Sequence, residues 1–123
     1  MDDIQMANHT RQSEMRLNDY QTLANRTAKE LGENMDLMHA ALGLAGEAGE
    51  FVDAVKRHLI YAKPLDVENA AEELGDSLWF IALGARRLGI SMEDLAKQNI
   101  EKLSKRYPEK YTDELAHARL DKA

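Results

Sequence analysis

The chain has 123 residues, 44% hydrophobic and 31% charged, which suits one domain with its own core and excludes both a second domain and a disordered chain. Sixteen basic against 22 acidic side chains leave a net charge of −6, which argues against polymeric nucleic acid as a partner, because that affinity rests on neutralising phosphates. With no cysteine, disulfides, thiolate nucleophiles and sulfur-ligated metals are excluded; no run approaches roughly 18 apolar residues and the N-terminus lacks the features of a signal peptide, so a cytoplasmic protein without a membrane partner is expected.

The seven glycines, two prolines and few β-branched or aromatic residues leave little material for strands, whereas Ala, Leu, Met, Glu and Lys favour helices. Residues 1–17 are polar and aperiodic and read as a flexible arm. Asn18 or Asp19 can cap a first helix from Tyr20 to Leu31 that Gly32 ends. A long helix follows from Asp36 to Leu59, with Leu37, Met38, Ala41, Leu42, Leu44, Ala45, Ala48, Phe51, Val52 and Val55 at three- and four-residue steps. The segment around Pro64 breaks it, and Asp66 can cap a third helix from Val67 to Leu88, closed by Gly89. Ser91 with Asp94 resembles a capping box opening a fourth helix that runs to Arg106, and a short tail helix from Glu114 to Leu120 follows Asp113. Four principal helices with short connections predict an all-α protein, an antiparallel four-helix bundle.

The chemistry points to two acidic pairs, Glu47 with Glu50 and Glu73 with Asp76. Each is spaced i, i+3, and at about 3.6 residues per turn both carboxylates of a pair share a helix face. Glu47 and Glu50 lie opposite the Ala41-Ala45-Val52 stripe, as an ordinary solvated face would. Two features speak against that: their neighbours are Ala40, Gly43, Gly46 and Ala54 in place of Lys and Arg, and Glu73 and Asp76 share a face with Asn69, Phe80 and Leu83. Small neighbours imply a close approach, and carboxylates kept from bulk water repel by about 4 kcal/mol at 4 Å unless a cation sits among them. An all-oxygen cluster selects magnesium, with manganese as the alternative, over zinc or copper. A di-iron bundle would need Glu-x-x-His pairs, and neither pair contains histidine.

The segments Asn18-Asp19-Tyr20-Gln21, His39 to Glu50, Glu72 to Asp76 and Asn99 to Leu103 together resemble the MazG-like branch of the all-α nucleoside triphosphate pyrophosphohydrolases, in particular its small single-domain phage and bacterial members. The resemblance implies a helical catalytic domain over 18–108 followed by a tail helix within 109–123. It also implies magnesium on Glu47, Glu50, Glu73 and Asp76, and hydrolysis of a nucleoside triphosphate between the α and β phosphates. Two positions depart from the family pattern: Gly46 stands where many members have a further glutamate, and Phe80 where many have tyrosine. The general base is Glu47 or Glu50.

Substrate contacts are expected from Asn99, Lys102 and Arg106, an i, i+3, i+7 stripe facing phosphate or sugar, and from Lys56 on phosphate. Trp79 and Phe80, one turn beyond Asp76, and His39 are candidates for lining the pocket. Each has a purely structural alternative: a solvated basic face, a lysine stem lying along the core, or aromatic packing. Apolar residues on several faces of the third helix, among them Leu74, Leu78, Ile81 and Leu83, together with the resemblance, imply a homodimer or homotetramer. Competing readings are a dUTP- or dCTP-specific enzyme or a phosphoribosyl-ATP pyrophosphohydrolase of the same fold, and, from a different class, a non-catalytic helical interaction module.

Overall fold

The computed structural model describes residues 14–122. Five α-helices occur in it, α1 (Leu17–Asn25), α2 (Glu33–Ile60), α3 (Val67–Arg87), α4 (Met92–Arg106) and α5 (Asp113–Ala118), and a 3₁₀ turn at Leu120–Lys122 closes the chain; no strand occurs among the described residues. Most of the expected arm, residues 1–13, lies outside the described residues, and its last residue, Leu17, already belongs to α1.

The later boundaries follow their capping side chains. Asp66 accepts the Asn69 N–H at 3.0 Å and opens α3, and Ser91 accepts the Asp94 N–H at 3.1 Å and opens α4. The first helix departs from expectation at both ends. It starts at Leu17, with the Asp19 carboxylate accepting the Arg16 N–H at 3.1 Å, and it stops at Asn25. The stop has a side-chain cause: Thr27 Oγ1 donates to the Ala24 carbonyl at 2.7 Å and competes with helix continuation. Gly32 therefore ends no helix; at φ 92°, a conformation suited to glycine, it leads the chain into α2.

The α2–α3 pair is the backbone of the fold and runs antiparallel. At one end Asp36, buried to 1% exposure near the start of α2, meets Arg87 Nη2 at 2.6 Å near the end of α3 and also accepts the Leu31 N–H at 3.0 Å. At the other end Glu50 and Asn69 face one cavity. Small residues bring the two helices together: Ala40 and Ala54 are buried, and the Phe80 ring lies against the bare Cα of Gly43. Gly46 has open space around it, so the close approach expected there falls on Gly43 alone of the two.

A second core lies on the opposite side of α3, where Ala24, Ala82, Ala85 and Met92 pack with Tyr20, Leu78, Trp79, Ile81, Ile90 and Leu95. Leu74, read from sequence as part of the same stripe as Leu78 and Ile81, is exposed. Polar staples fix α1 against the α3–α4 turn. Gln21 accepts the Met92 N–H at 3.0 Å and donates to the Ile90 carbonyl at 3.1 Å, while Asn18 Oδ1 accepts from Glu93 N and the Glu93 carboxylate accepts from Asn18 N. The apolar stripe of α2 is not inside: Met38, Leu42, Val52 and Leu59 are exposed.

Candidate metal centre and its surroundings

Because the small-residue face of α2 packs on α3, the acidic face is carried inward with it. Glu47 from α2 and Glu73 and Asp76 from α3 converge, with one carboxylate oxygen of each within 4.8 Å of the others. Glu47 and Glu73 are half-buried and Asp76 is exposed. The solvated-face reading of Glu47 therefore fails, although its apolar stripe lies on the opposite side as the wheel indicated. Glu73 is held above the usual glutamate pKa, first by a hydrogen bond with Glu47, then by partial burial and by the negative charges of Glu47 and Asp76. Carboxylates crowded in this way mark a place where a cation would offset their repulsion.

The metal that such a cluster implies fits the residues present. The donors are all carboxylate oxygen, they come from two helices fixed by Gly43, Ala40 and Ala54, and their mutual repulsion already perturbs Glu73. Glu50 does not join the three. It is exposed, one helical step along α2, and lines a separate cavity of about 450 Å³ with Asp53, Arg57, Lys63 and Asn69.

On the other side of Glu47 and Asp76 lies a cavity of about 390 Å³ walled by His39, Trp79 and Phe80. The three rings meet edge to face, with centroids 4.9 Å apart for Trp79–Phe80, 5.4 Å for His39–Phe80 and 6.0 Å for His39–Trp79. The Trp79 indole N–H donates to Thr27 Oγ1 at 2.7 Å, which fixes the ring, and the buried Nδ1 of His39 has no hydrogen-bond partner. One neighbour escaped the sequence reading. Burial and, after it, the charge of Asp76 raise the pKa of the Tyr20 phenol, so α1 brings a tyrosine toward the site where Phe80 offers none. Its only sequence signal is its place in Asn18-Asp19-Tyr20-Gln21.

The α4 stripe lines no cavity with the three acids. Asn99 and Lys102 line their own cavity with Leu95, Ala96 and Gln98. Arg106 is taken up by the tail: its Nε and Nη2 donate to the two carboxylate oxygens of Asp121 at 2.9 and 3.1 Å. Lys56 Nζ lies 3.4 Å from Asp53 and lines neither cavity beside the acids; of its neighbours it is Arg57 that does.

A phage relative, the Gene 37 protein of Mycobacterium phage L5, is 31% identical over 74 residues, covering 57% of this chain and 65% of the relative, so the chain spans less than two thirds of that relative's length. No solved structure matches the chain. Residues 37–111, from the start of the His39 segment through α4, match the MazG nucleotide pyrophosphohydrolase domain, and the chain belongs to that family.

Proposed function

We propose that the protein is a magnesium- or manganese-dependent nucleoside triphosphate pyrophosphohydrolase that cleaves between the α and β phosphates and releases a nucleoside monophosphate and pyrophosphate. The observation that carries this reading is the convergence of Glu47, Glu73 and Asp76 from two antiparallel helices, which raises the Glu73 pKa through the hydrogen bond with Glu47. Bound by these three, a divalent cation would neutralise phosphate oxygens and acidify water.

The chain's own groups supply the rest. Glu50, one step from Glu47 and outside the three, takes the proton of the attacking water as its oxygen bonds to the α phosphorus and the bridging oxygen leaves with the pyrophosphate. His39, Trp79 and Phe80 hold the base between their rings, Trp79 being fixed by Thr27. Asn99 and Lys102 line a cavity of their own on α4, and they would contribute to the substrate site across an interface between copies.

A panel of ribo- and deoxynucleoside triphosphates, assayed for pyrophosphate and orthophosphate with and without magnesium or manganese, tests the reading. Pyrophosphate should appear only with metal, and Glu73→Gln or Asp76→Asn should lower the rate at least about 10²-fold, as expected for loss of positioned charge stabilisation. Orthophosphate as sole product, or full turnover in both variants, would overturn it. The same panel separates a general enzyme from one restricted to dUTP, dCTP or phosphoribosyl-ATP.

A further inference from the structure

The chain has one tryptophan, Trp79, and it lies half-buried between two environments. On one side it packs against the core of Ala24, Ala82, Ala85 and Met92, and on the other it walls the cavity of about 390 Å³ beside Glu47 and Asp76. Burial alone does not settle how such an indole is turned, because the hydrophobic effect is non-directional and either bed removes apolar surface from water. Direction comes from its one polar atom. The indole Nε1–H is a donor only, and it is spent on Thr27 Oγ1 at 2.7 Å.

Thr27 is exposed in the loop between α1 and α2, yet its hydroxyl is aimed. Its proton goes to the Ala24 carbonyl at 2.7 Å, and its backbone N–H goes to the same carbonyl at 3.0 Å. Ala24 is buried in the core, so that carbonyl is a fixed point. With its proton committed, the hydroxyl offers Trp79 only lone pairs, as an N–H donor requires, and a hydroxyl that donates also accepts more strongly. The far end of the loop is tied as well, the Leu31 N–H donating to buried Asp36 at 3.0 Å. The rings pass the constraint on: Trp79 meets Phe80 at 85°, and Phe80 lies against the bare Cα of Gly43, so a turn of Trp79 displaces Phe80 too.

We infer that Thr27 is a positioning residue for nucleotide binding: it sets the affinity for the base by holding the Trp79 ring at the cavity, without touching the nucleotide itself. The inference rests on the reading of His39, Trp79 and Phe80 as the base site. Because Nε1–H is spent on Thr27, Trp79 gives the base a ring surface and no hydrogen bond. Its contribution is then stacking, which every base accepts because every base has a π-face. Thr27 therefore governs how tightly bases are held and not which base is chosen. Its exposure helps the test, since removing the hydroxyl opens no hole in the core.

Fluorescence of the full chain reports this ring directly, with no other tryptophan to obscure it. The probes are the magnesium complexes of the α,β-methylene analogues of ATP, GTP, CTP, UTP and dTTP, which cannot be cleaved at that bond. Binding should change the Trp79 emission of the wild type. Thr27→Val, of the same shape without the hydroxyl, should shift that emission before any ligand is added. It should also weaken every analogue by a similar factor of about threefold to tenfold, the range of one neutral hydrogen bond. Thr27→Ser should restore both. The rise in Tm with magnesium alone, which involves no base, should be equal in the wild type and Thr27→Val. Trp79→Phe keeps a ring without the N–H; on that background, followed by calorimetry, Thr27→Val should alter affinity by less than about twofold. Wild-type affinity in Thr27→Val, the full loss repeated in the Trp79→Phe background, or analogues that leave Trp79 emission unchanged would overturn the role. A magnesium shift that falls along with affinity would overturn it too, leaving Thr27 as the stop of α1. If nucleotides are hydrolysed but affinity ignores Thr27, the positioning role falls alone. If affinity depends on Thr27 but no nucleotide is cleaved, the role stands and the reaction assigned above falls.

Discussion

Glu73 is the residue at which the site's electrostatics can be read by titration. Its pKa is raised in the folded chain, chiefly by the hydrogen bond with Glu47. The stability from that raised pKa is fully present below the ordinary glutamate pKa and is lost as pH rises through the raised value. In EDTA, therefore, this cluster should lower Tm as pH climbs above the ordinary glutamate pKa, and Glu47→Gln, which removes one charge, should melt at or above the wild type at neutral pH. Magnesium should reverse the order, since a ligand at 100 times its Kd adds about 2.7 kcal/mol to the wild type, and the variant should gain much less. Equal magnesium shifts in both would remove Glu47 from the metal site. Gly43 gives a second test at this scale. A methyl there overlaps the Phe80 ring; overpacking costs about 1–3 kcal/mol and the gain in helix propensity returns about 1 kcal/mol. Gly43→Ala should lower stability by about 1 kcal/mol in chemical denaturation, with the aromatic wall displaced.

At the scale of elements, α2 and α3 are held in register by a buried pair, and the tail by another. Asp36 is 1% exposed and its partner Arg87 lies on the neighbouring helix. Arg87→Ala leaves a buried carboxylate unpaired, so stability should fall by about 3–5 kcal/mol, read from the denaturant midpoint; a loss below about 1 kcal/mol would mean that water already reaches Asp36. The tail behaves differently. Arg106 lowers the Asp121 pKa, so the stability from that contact is present above the ordinary aspartate pKa and fades as pH falls through the lowered value. Amide exchange in 113–122 should accelerate in acid and in Asp121→Ala. What could be read from sequence at this scale was what is local. Asp66 and Ser91 open α3 and α4 as their spacing predicts, and the long period of α2 is recovered within a few residues. What could not be read depends on distant partners. Thr27 ends α1 and fixes Trp79, 52 residues on; Asn18 pairs with Glu93 across 75; Asp121 removes Arg106 from the surface. None of these contacts leaves a periodic trace. The four acids were visible because helical spacing put them on shared faces, but that Glu50 would part from the other three depends on where α3 crosses α2.

The whole molecule carries its amphipathicity inside out on α2, and that has a consequence for assembly. In an ordinary bundle the broad apolar stripe of the longest helix would form the core. Here the small and acidic face packs on α3, and Leu42, Val52 and Leu59 are 67%, 62% and 71% exposed. The interior is correspondingly thin: among the described residues the fully buried apolar ones are Ala24, Ala40, Ala54, Ala70, Ala82, Leu83, Ala85 and Met92, so only Leu83 and Met92 among them exceed alanine in size. Burying each exposed Leu or Val of this stripe would contribute about 1.5–3 kcal/mol. The stripe of Met38, Leu42, Val52 and Leu59 runs along one side of a 28-residue helix, and a second copy placing the same stripe against it would close both cores by a two-fold axis. The protein should therefore be at least a dimer, with a mass by light scattering of at least twice the 13.9 kDa of the chain at micromolar concentration. Leu42→Glu and Val52→Glu lie on the outer face, away from Glu47 and its partners. Each should dissociate the assembly and lower Tm together, because the charges would have to be buried face to face. A wild-type monomer, or variants that stay assembled, would place the interface elsewhere. Pyrophosphate release then gives the last discrimination: if Lys102 acts across the interface, mixing inactive Asp76→Asn chains with inactive Lys102→Ala chains should restore activity to mixed dimers, one intact site in each, while mixing either variant with itself restores none.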